Sequence, residues 1–262
     1  NNLLKDLIYD GKKILSDSGV KNAMDEARLI IKKTLKKTEL EFITFQNKKI
    51  SSNQSNSILN NFIERTRGKP VSKIFGIKEF FSNEFIVNKN VLDPRPETEL
   101  LAELTIKNLF KIKDKKTSLL ELGVGSGCLI ISILLSLKKK KVSALGVDIC
   151  NKALDIAGKN LKKFNLEKKL KLKKSDWFSD IHEKFDIIIS NPPYIKTSDI
   201  KSLDKEVKFY DPQIALDGGF NGLRCFERIA TDAKFHLKQN GIVLLEIGFG
   251  QINPVKKIFE KM

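Results

Sequence analysis

The chain has 262 residues, 41% of them hydrophobic, and carries a formal net charge of +16. That length suits one large domain or a domain with a small companion, and that apolar content suffices to bury a core. No apolar run approaches the ~18 residues of a membrane span, no leader pattern opens the chain, three scattered cysteines (Cys128, Cys150, Cys225) suit a reducing cytoplasm rather than a disulfide framework, and two distant histidines (His182, His236) speak against a metal site.

The lysine excess would attract nucleic acid or another acidic partner. It lies in short runs (138–141, Lys168-Lys169, Lys173-Lys174) between apolar segments, which reads as solvated faces, with nucleic acid at most a secondary partner.

In chain order, residues 1–70 read as a helical bundle. Asn22 is placed to cap a helix with Asp25 and Glu26 in its first turn. Ser51 and Gln54 form a capping-box pattern ahead of Ile58, Leu59, Phe62 and Ile63 on one face. Arg67-Gly68-Lys69-Pro70 is a stop signal. Residues 71–91 read as a β-hairpin linker, with Ile74 to Ile77 and Phe85 to Val87 strand-like and a turn at Ser82-Asn83. Asp93-Pro94-Arg95-Pro96-Glu97-Thr98-Glu99 leads into a helix over about 100–109, with Thr98 or Asp93 as its cap.

Residues 92–262 then alternate: strands at 118–122, 142–147, 170–172, 185–190 and 241–247, helices at 126–137, 151–164 and 253–261. Such alternation predicts a doubly wound parallel sheet with right-handed crossovers.

Four strand ends carry unusual residues. The first gives Glu121-Leu122-Gly123-Val124-Gly125-Ser126-Gly127. It lacks the third glycine of the dinucleotide fingerprint, and an acid at Glu121 suits a cationic ligand better than a pyrophosphate; a tight strand-to-helix turn is the plainer reading. The second ends at Asp148, 25 residues beyond Gly123, either a ribose-binding acid or an acid ahead of a helix. The third leads to Asp176 and Trp177, placed to stack an adenine or to close a loop. The fourth gives Asn191-Pro192-Pro193-Tyr194. Proline has no amide hydrogen, so the strand must stop there, in a turn or in a binding lip with free carbonyls. If the first and fourth strands are neighbours, all of these face one crevice.

Taken together, Glu-x-Gly-x-Gly-x-Gly, Asp148 and Asn-Pro-Pro-Tyr resemble class I S-adenosylmethionine-dependent methyltransferases with a Rossmann-like sheet. The helical N-terminal segment, the hairpin, Arg95 to Glu99, Ser175 to Phe178, Asp211-Pro212 and Leu245 to Gly248 make the chain similar, nearly end to end, to the release factor glutamine methyltransferase family. The resemblance implies that Glu121 and Gly123, Val124, Gly125, Ser126 and Gly127 hold the methionine part of S-adenosyl-L-methionine. It implies that Asp148 takes the ribose, Asp176 and Trp177 border the adenine, and Thr98 reaches the carboxylate. Asn191 and the Pro192 carbonyl would bind the substrate amide, beside Pro193 and Tyr194. It further implies a cytoplasmic, monomeric, metal-free enzyme acting on the glutamine of a Gly-Gly-Gln motif, with residues 1–70 docking the substrate. The alternative is a nucleic-acid adenine or guanine amine methyltransferase. One departure is expected: after Glu246 the sequence offers a single helical stretch and ends at Met262, so the family's last two strands read as missing.

Overall fold

The computed structural model describes residues 3–44, 47–113, 116–137 and 140–261. The chain divides into two compact units, residues 1–76 and 77–262.

The first unit is helical: α1 (Leu4–Asp17), α2 (Ala23–Thr34), α3 (Glu39–Thr44), α4 (Ser52–Thr66) and α5 (Val71–Phe75). Its core is the apolar stripe of each helix, including Leu4, Ile30, Ile31, Phe42 and Phe62. The capping box forms: Ser51 Oγ accepts from the Gln54 N–H at 3.3 Å, and Gln54 Oε1 accepts from the Ser51 N–H at 3.2 Å. Asn22 occupies the cap position of α2 without making the side-chain bond. The strand-like stretch at Ile74 is instead the end of helix α5. The Pro70 carbonyl accepts the Lys73 and Ile74 N–H groups of that helix, and Gly76 stops it at φ 70°.

The second unit opens with a hairpin, β1 (Ile77–Phe80) and β2 (Asn83–Ile86). Its turn is Phe81-Ser82 rather than Ser82-Asn83. Both residues have positive φ, as a type I′ hairpin turn requires. Glu99 accepts the Phe81 N–H at 2.8 Å and ties the turn to α6 (Thr98–Lys111). The remaining elements are β3 (Thr117–Leu122), α7 (Cys128–Ser136), β4 (Val142–Asp148), α8 (Asn151–Lys163), β5 (Leu170–Lys174), β6 (Phe185–Ser190), α9 (Lys205–Tyr210), α10 (Arg224–His236), β7 (Leu237–Leu245) and α11 (Ile252–Glu260).

The sheet order is β5-β4-β3-β6-β7, every pair parallel. The chain enters at β3, runs outward to β5, and returns to β6 on the other side of β3. The order therefore reverses between β3 and β6, the place where ligands bind outside the carboxyl ends of such sheets. β6 is buried along its whole length and β3 nearly so, which accounts for their continuous apolar texture. β7 starts four residues earlier than the apolar run suggests, across an irregularity opposite Phe185 to Ile187, with Asn240 at φ 60°. In the lysine runs, Lys168, Lys173 and Lys174 are exposed; Lys138 and Lys139 lie outside the described residues.

Candidate active site

The glycine-rich loop leaves β3 beside the end of β4, because the Val124 N–H donates to the Val147 carbonyl at 2.9 Å. Asp148 then gathers the loop: its Oδ2 accepts from the Gly125 N–H and its Oδ1 from the Cys150 N–H, each at 2.9 Å. Burial raises the Asp148 pKa, and those N–H bonds oppose the rise. Gly123 and Gly125 sit at φ 70° and 53°, and a side chain built on Gly123 would meet nothing within 4 Å. The loop thus offers bare backbone to open space.

That space is a cavity of about 410 Å³. Gly123, Gly125, Asp148, Asp176, Trp177, Asn191 and Pro193 line it, together with residues that include Leu92, Ile214, Arg224 and Arg228. Trp177 is half-buried and holds φ 53°, a conformation uncommon for a bulky residue, fixed in part by the Ser175 hydroxyl donating to its carbonyl at 2.9 Å.

A second cavity, of about 490 Å³, also has Asn191 in its lining. Its walls include Arg95, Glu97, Tyr194, Glu246 and Phe249. Asn191, Leu92 and Ala215 belong to both cavities. The lip they share is held from behind. The Ile195 N–H donates to Leu216, the Gly218 N–H donates to Ile195, and Gln251 Nε2 donates to the Tyr194 carbonyl at 3.0 Å. The Pro192 carbonyl accepts no backbone hydrogen bond among the described residues. Arg95 pairs with buried Asp211 at 2.6 Å, tying the proline-rich stretch to the Asp211-Pro212 turn.

Several residues singled out in the sequence stand behind the cavity walls rather than on them. Glu121 is 3% exposed and accepts the Ile130 N–H at 3.1 Å, capping the first turn of α7 from below. Burial, and then the charge of Asp148, push its carboxyl well above the usual carboxylate range. Val124, Ser126, Gly127 and Pro192 line neither cavity. Nor does Thr98, 4% exposed, whose hydroxyl donates to Glu246 Oε2 at 2.6 Å and accepts from Asn191 Nδ2 at 3.1 Å. Thr98 is the first residue of α6 and caps nothing. Glu246 also accepts from the Tyr194 hydroxyl at 3.3 Å. Burial raises the Glu246 pKa, and it carries the Tyr194 hydroxyl to about 12, with Glu246 adding to that rise.

The pairing of Glu246 with Thr98, 148 residues apart, has no local signal in the sequence. The wall formed by Ile214, Arg224 and Arg228 was likewise not readable; Asp211-Pro212 was the nearest mark of it. Neither histidine lines either of these two cavities, and His236 stacks on Phe178 with ring centroids 4.8 Å apart. Among the described residues no three or more His, Cys, Asp or Glu side chains cluster as a metal would need.

A parallel sheet reversing between β3 and β6, with a glycine loop and an acid at adjoining strand ends, defines an S-adenosylmethionine-dependent methyltransferase of class I. The hMettl16 catalytic domain, solved with an RNA hairpin, shares that fold, at TM-score 0.55 and 14% identity over 80% of this chain and 73% of that one. Residues 92–207 match the model of the methyltransferase small domain, and residues 6–76 that of the PrmC N-terminal domain. The release factor glutamine methyltransferase of Agrobacterium fabrum is 36% identical over 95% of this chain and 86% of its own length; that of Caulobacter vibrioides is 35% identical over 94% and 84%. The chain belongs to the release factor glutamine methyltransferase family.

Proposed function

We propose that this enzyme methylates the N5 side-chain amide nitrogen of the glutamine in the Gly-Gly-Gln motif of class I peptide chain release factors. The observation that carries the reading is the place of Asn191, shared by two cavities. One cavity has the residues a cofactor of this class needs. Its bare glycine backbone admits close approach, Asp148 offers a carboxylate to ribose hydroxyls, and Asp176 and Trp177 offer an edge and a face to adenine. Glu121 lies beneath the loop, where a bound ammonium group would draw its buried carboxyl back to the ionised form and be balanced by it. S-adenosyl-L-methionine, when bound, supplies an electrophilic methyl on a sulfonium.

The chain's own residues then deal with the poor nucleophile. An amide nitrogen shares its lone pair with the carbonyl, so it must be aimed rather than merely exposed. Asn191 Oδ1 and the Pro192 carbonyl accept its two hydrogens, and both acceptors favour the positive charge that grows on nitrogen as the N–C bond forms and the methyl–sulfur bond breaks to leave a neutral thioether; one of those two hydrogens then departs as a proton to solvent, leaving the neutral N-methyl amide. Pro193 and Tyr194 make a stiff apolar wall that a narrow, glycine-flanked loop can pass. No imidazole base is called for. The first unit, residues 1–76, serves as a second grip on the release factor body, assisted by the positive charge. A reaction on release factors belongs in the cytoplasm.

The test is incubation of the purified enzyme and labelled donor with two release factors, one carrying Gly-Gly-Gln and one with that glutamine changed to alanine. Label should enter only the first, on the side-chain nitrogen. Equal labelling of both, or preferential labelling of DNA or RNA, overturns the reading.

A further inference from the structure

We propose that Thr98 and Glu246 are a positioning pair that decides which end of the Asn191 amide meets the substrate, so that Thr98 serves the reaction through Asn191 and not by holding the cofactor. The inference rests on the reading of Asn191 as the acceptor of the substrate amide.

An asparagine amide has two ends of nearly equal size and opposite chemistry: Nδ2 donates and Oδ1 accepts. Presented the wrong way round, Asn191 would set its own NH2 against the NH2 of a glutamine. Something must choose the orientation, and the choice traces back to a carboxylate. Glu246 can only accept when ionised, and its Oε2 takes the single hydrogen of the Thr98 hydroxyl at 2.6 Å. The Thr98 oxygen is left with lone pairs alone. It can accept from Asn191 Nδ2, as it does at 3.1 Å, and would repel Oδ1. With Nδ2 committed, Oδ1 is the free end. It has no hydrogen-bond partner among the described residues, on a side chain that lines both cavities.

The pair is itself held still. Thr98 is 4% exposed at the start of α6, Asn191 follows β6, and Glu246 follows β7 with its N–H on the Ser190 carbonyl at 3.0 Å. The Tyr194 hydroxyl occupies the other carboxylate oxygen, Oε1, at 3.3 Å. Three elements thus converge on the Asn191 amide, which Glu246 holds through the Thr98 hydroxyl and also by its own side-chain hydrogen bond to Asn191. Thr98 lines neither cavity.

The experiment compares wild type with Thr98→Val, which keeps the shape and removes the hydroxyl, and Thr98→Ser, which keeps the hydroxyl. The valine variant should lose about tenfold or more in kcat on release factor, and the serine variant should stay within about threefold of wild type. Cofactor Kd by calorimetry should be the same for all three. In parallel, NMR of the Asn191 side-chain amide should show Nδ2 hydrogens slow to exchange in wild type and Thr98→Ser, and fast in Thr98→Val. If Thr98→Val does not fold, Glu246→Gln tests the other end: it replaces one acceptor oxygen by a donor and should lower kcat at unchanged cofactor Kd. Wild-type kcat and unchanged amide exchange in the folded variants overturn the pairing. A valine variant with weakened cofactor binding and normal kcat restores Thr98 as a cofactor ligand. A wild-type enzyme that labels no release factor overturns the proposed substrate instead, and the exchange measurement still decides the pairing.

Discussion

Asp148 Oδ2 accepts the Gly125 N–H at 2.9 Å, so the acid at the end of β4 also shapes the loop at the end of β3. One carboxylate therefore bears on the cavity from two sides: it faces the cavity itself and it holds the backbone that forms the neighbouring wall.

Asp148→Ala should weaken S-adenosyl-L-methionine binding by ~1.5–3 kcal/mol, about ten- to a hundredfold in Kd, because ribose hydroxyls lose a charged acceptor and the loop loses its tie. Titration calorimetry measures this directly. An unchanged Kd would show that Asp148 only braces the loop and that the ribose is bound elsewhere.

Glu121 gives a pH prediction. Its folded-state pKa is raised well above 4.5, first by burial and then by Asp148. The folded state therefore holds a proton more tightly than the unfolded chain, and stability without cofactor falls as pH rises from the unfolded value through the folded one. Glu121→Gln keeps an oxygen for the Ile130 N–H and removes the charge. On cofactor-free protein its melting temperature should match wild type at pH below the ordinary carboxylate value and exceed it by a growing margin as pH rises above that. A melting difference that does not vary with pH would show that Glu121 is not the titrating group. The same variant should bind S-adenosyl-L-methionine more weakly, having lost the counter-charge of the ammonium.

How far the sequence could be read depended on distance along the chain. The glycine loop, the stop after β6 and the Ser51 capping box are local patterns, and their backbone requirements are met within a few residues. Short apolar pieces were harder. Val71 to Phe75 has the residues of a strand, and only Pro70 before it and Gly76 after it make a one-turn helix the better use of its hydrogen bonds. The relay from Glu246 through Thr98 to Asn191 joins residues 98, 191 and 246, and no periodicity reports a contact of that separation. Thr98 was legible as a helix start and as a polar group in a suggestive motif. Its actual partners depend on α6, β6 and β7 ending side by side.

Gly218→Ala should damage turnover more than cofactor binding. A Cβ on Gly218 would stand 2.8 Å from Tyr194 Cα and 2.9 Å from the Pro193 carbonyl oxygen. Both are backbone atoms of the lip and cannot swing aside as a flexible side chain would. The lip must shift, at an overpacking cost of ~1–3 kcal/mol in stability. Because Gly123, Gly125 and Asp148 are untouched, cofactor Kd should change by less than about threefold while kcat falls about tenfold or more. Steady-state kinetics on release factor together with calorimetry separate the two. Normal kcat would mean the lip tolerates displacement and its geometry is not what aims the amide.

The last prediction concerns a residue with no part in the chemistry. Asn160 on α8 is fully buried and saturates three backbone groups: Oδ1 accepts the Ile86 N–H at 2.7 Å, while Nδ2 donates to the Ile86 carbonyl at 2.9 Å and the Ser126 carbonyl at 2.8 Å. It thereby joins the hairpin to the glycine loop, and the Ile86 backbone, at the free end of β2, has no strand beyond it to pair with. Asn160→Ala leaves the buried Ser126 carbonyl and the partly buried Ile86 groups without this partner and opens a small void, which should cost ~2–4 kcal/mol in denaturant unfolding. Asn160→Asp should do no better. A carboxylate still accepts from the Ile86 N–H but has no hydrogen for either carbonyl, and it brings a buried charge with it. A loss below ~1 kcal/mol in both variants would mean that water reaches this junction and replaces the amide.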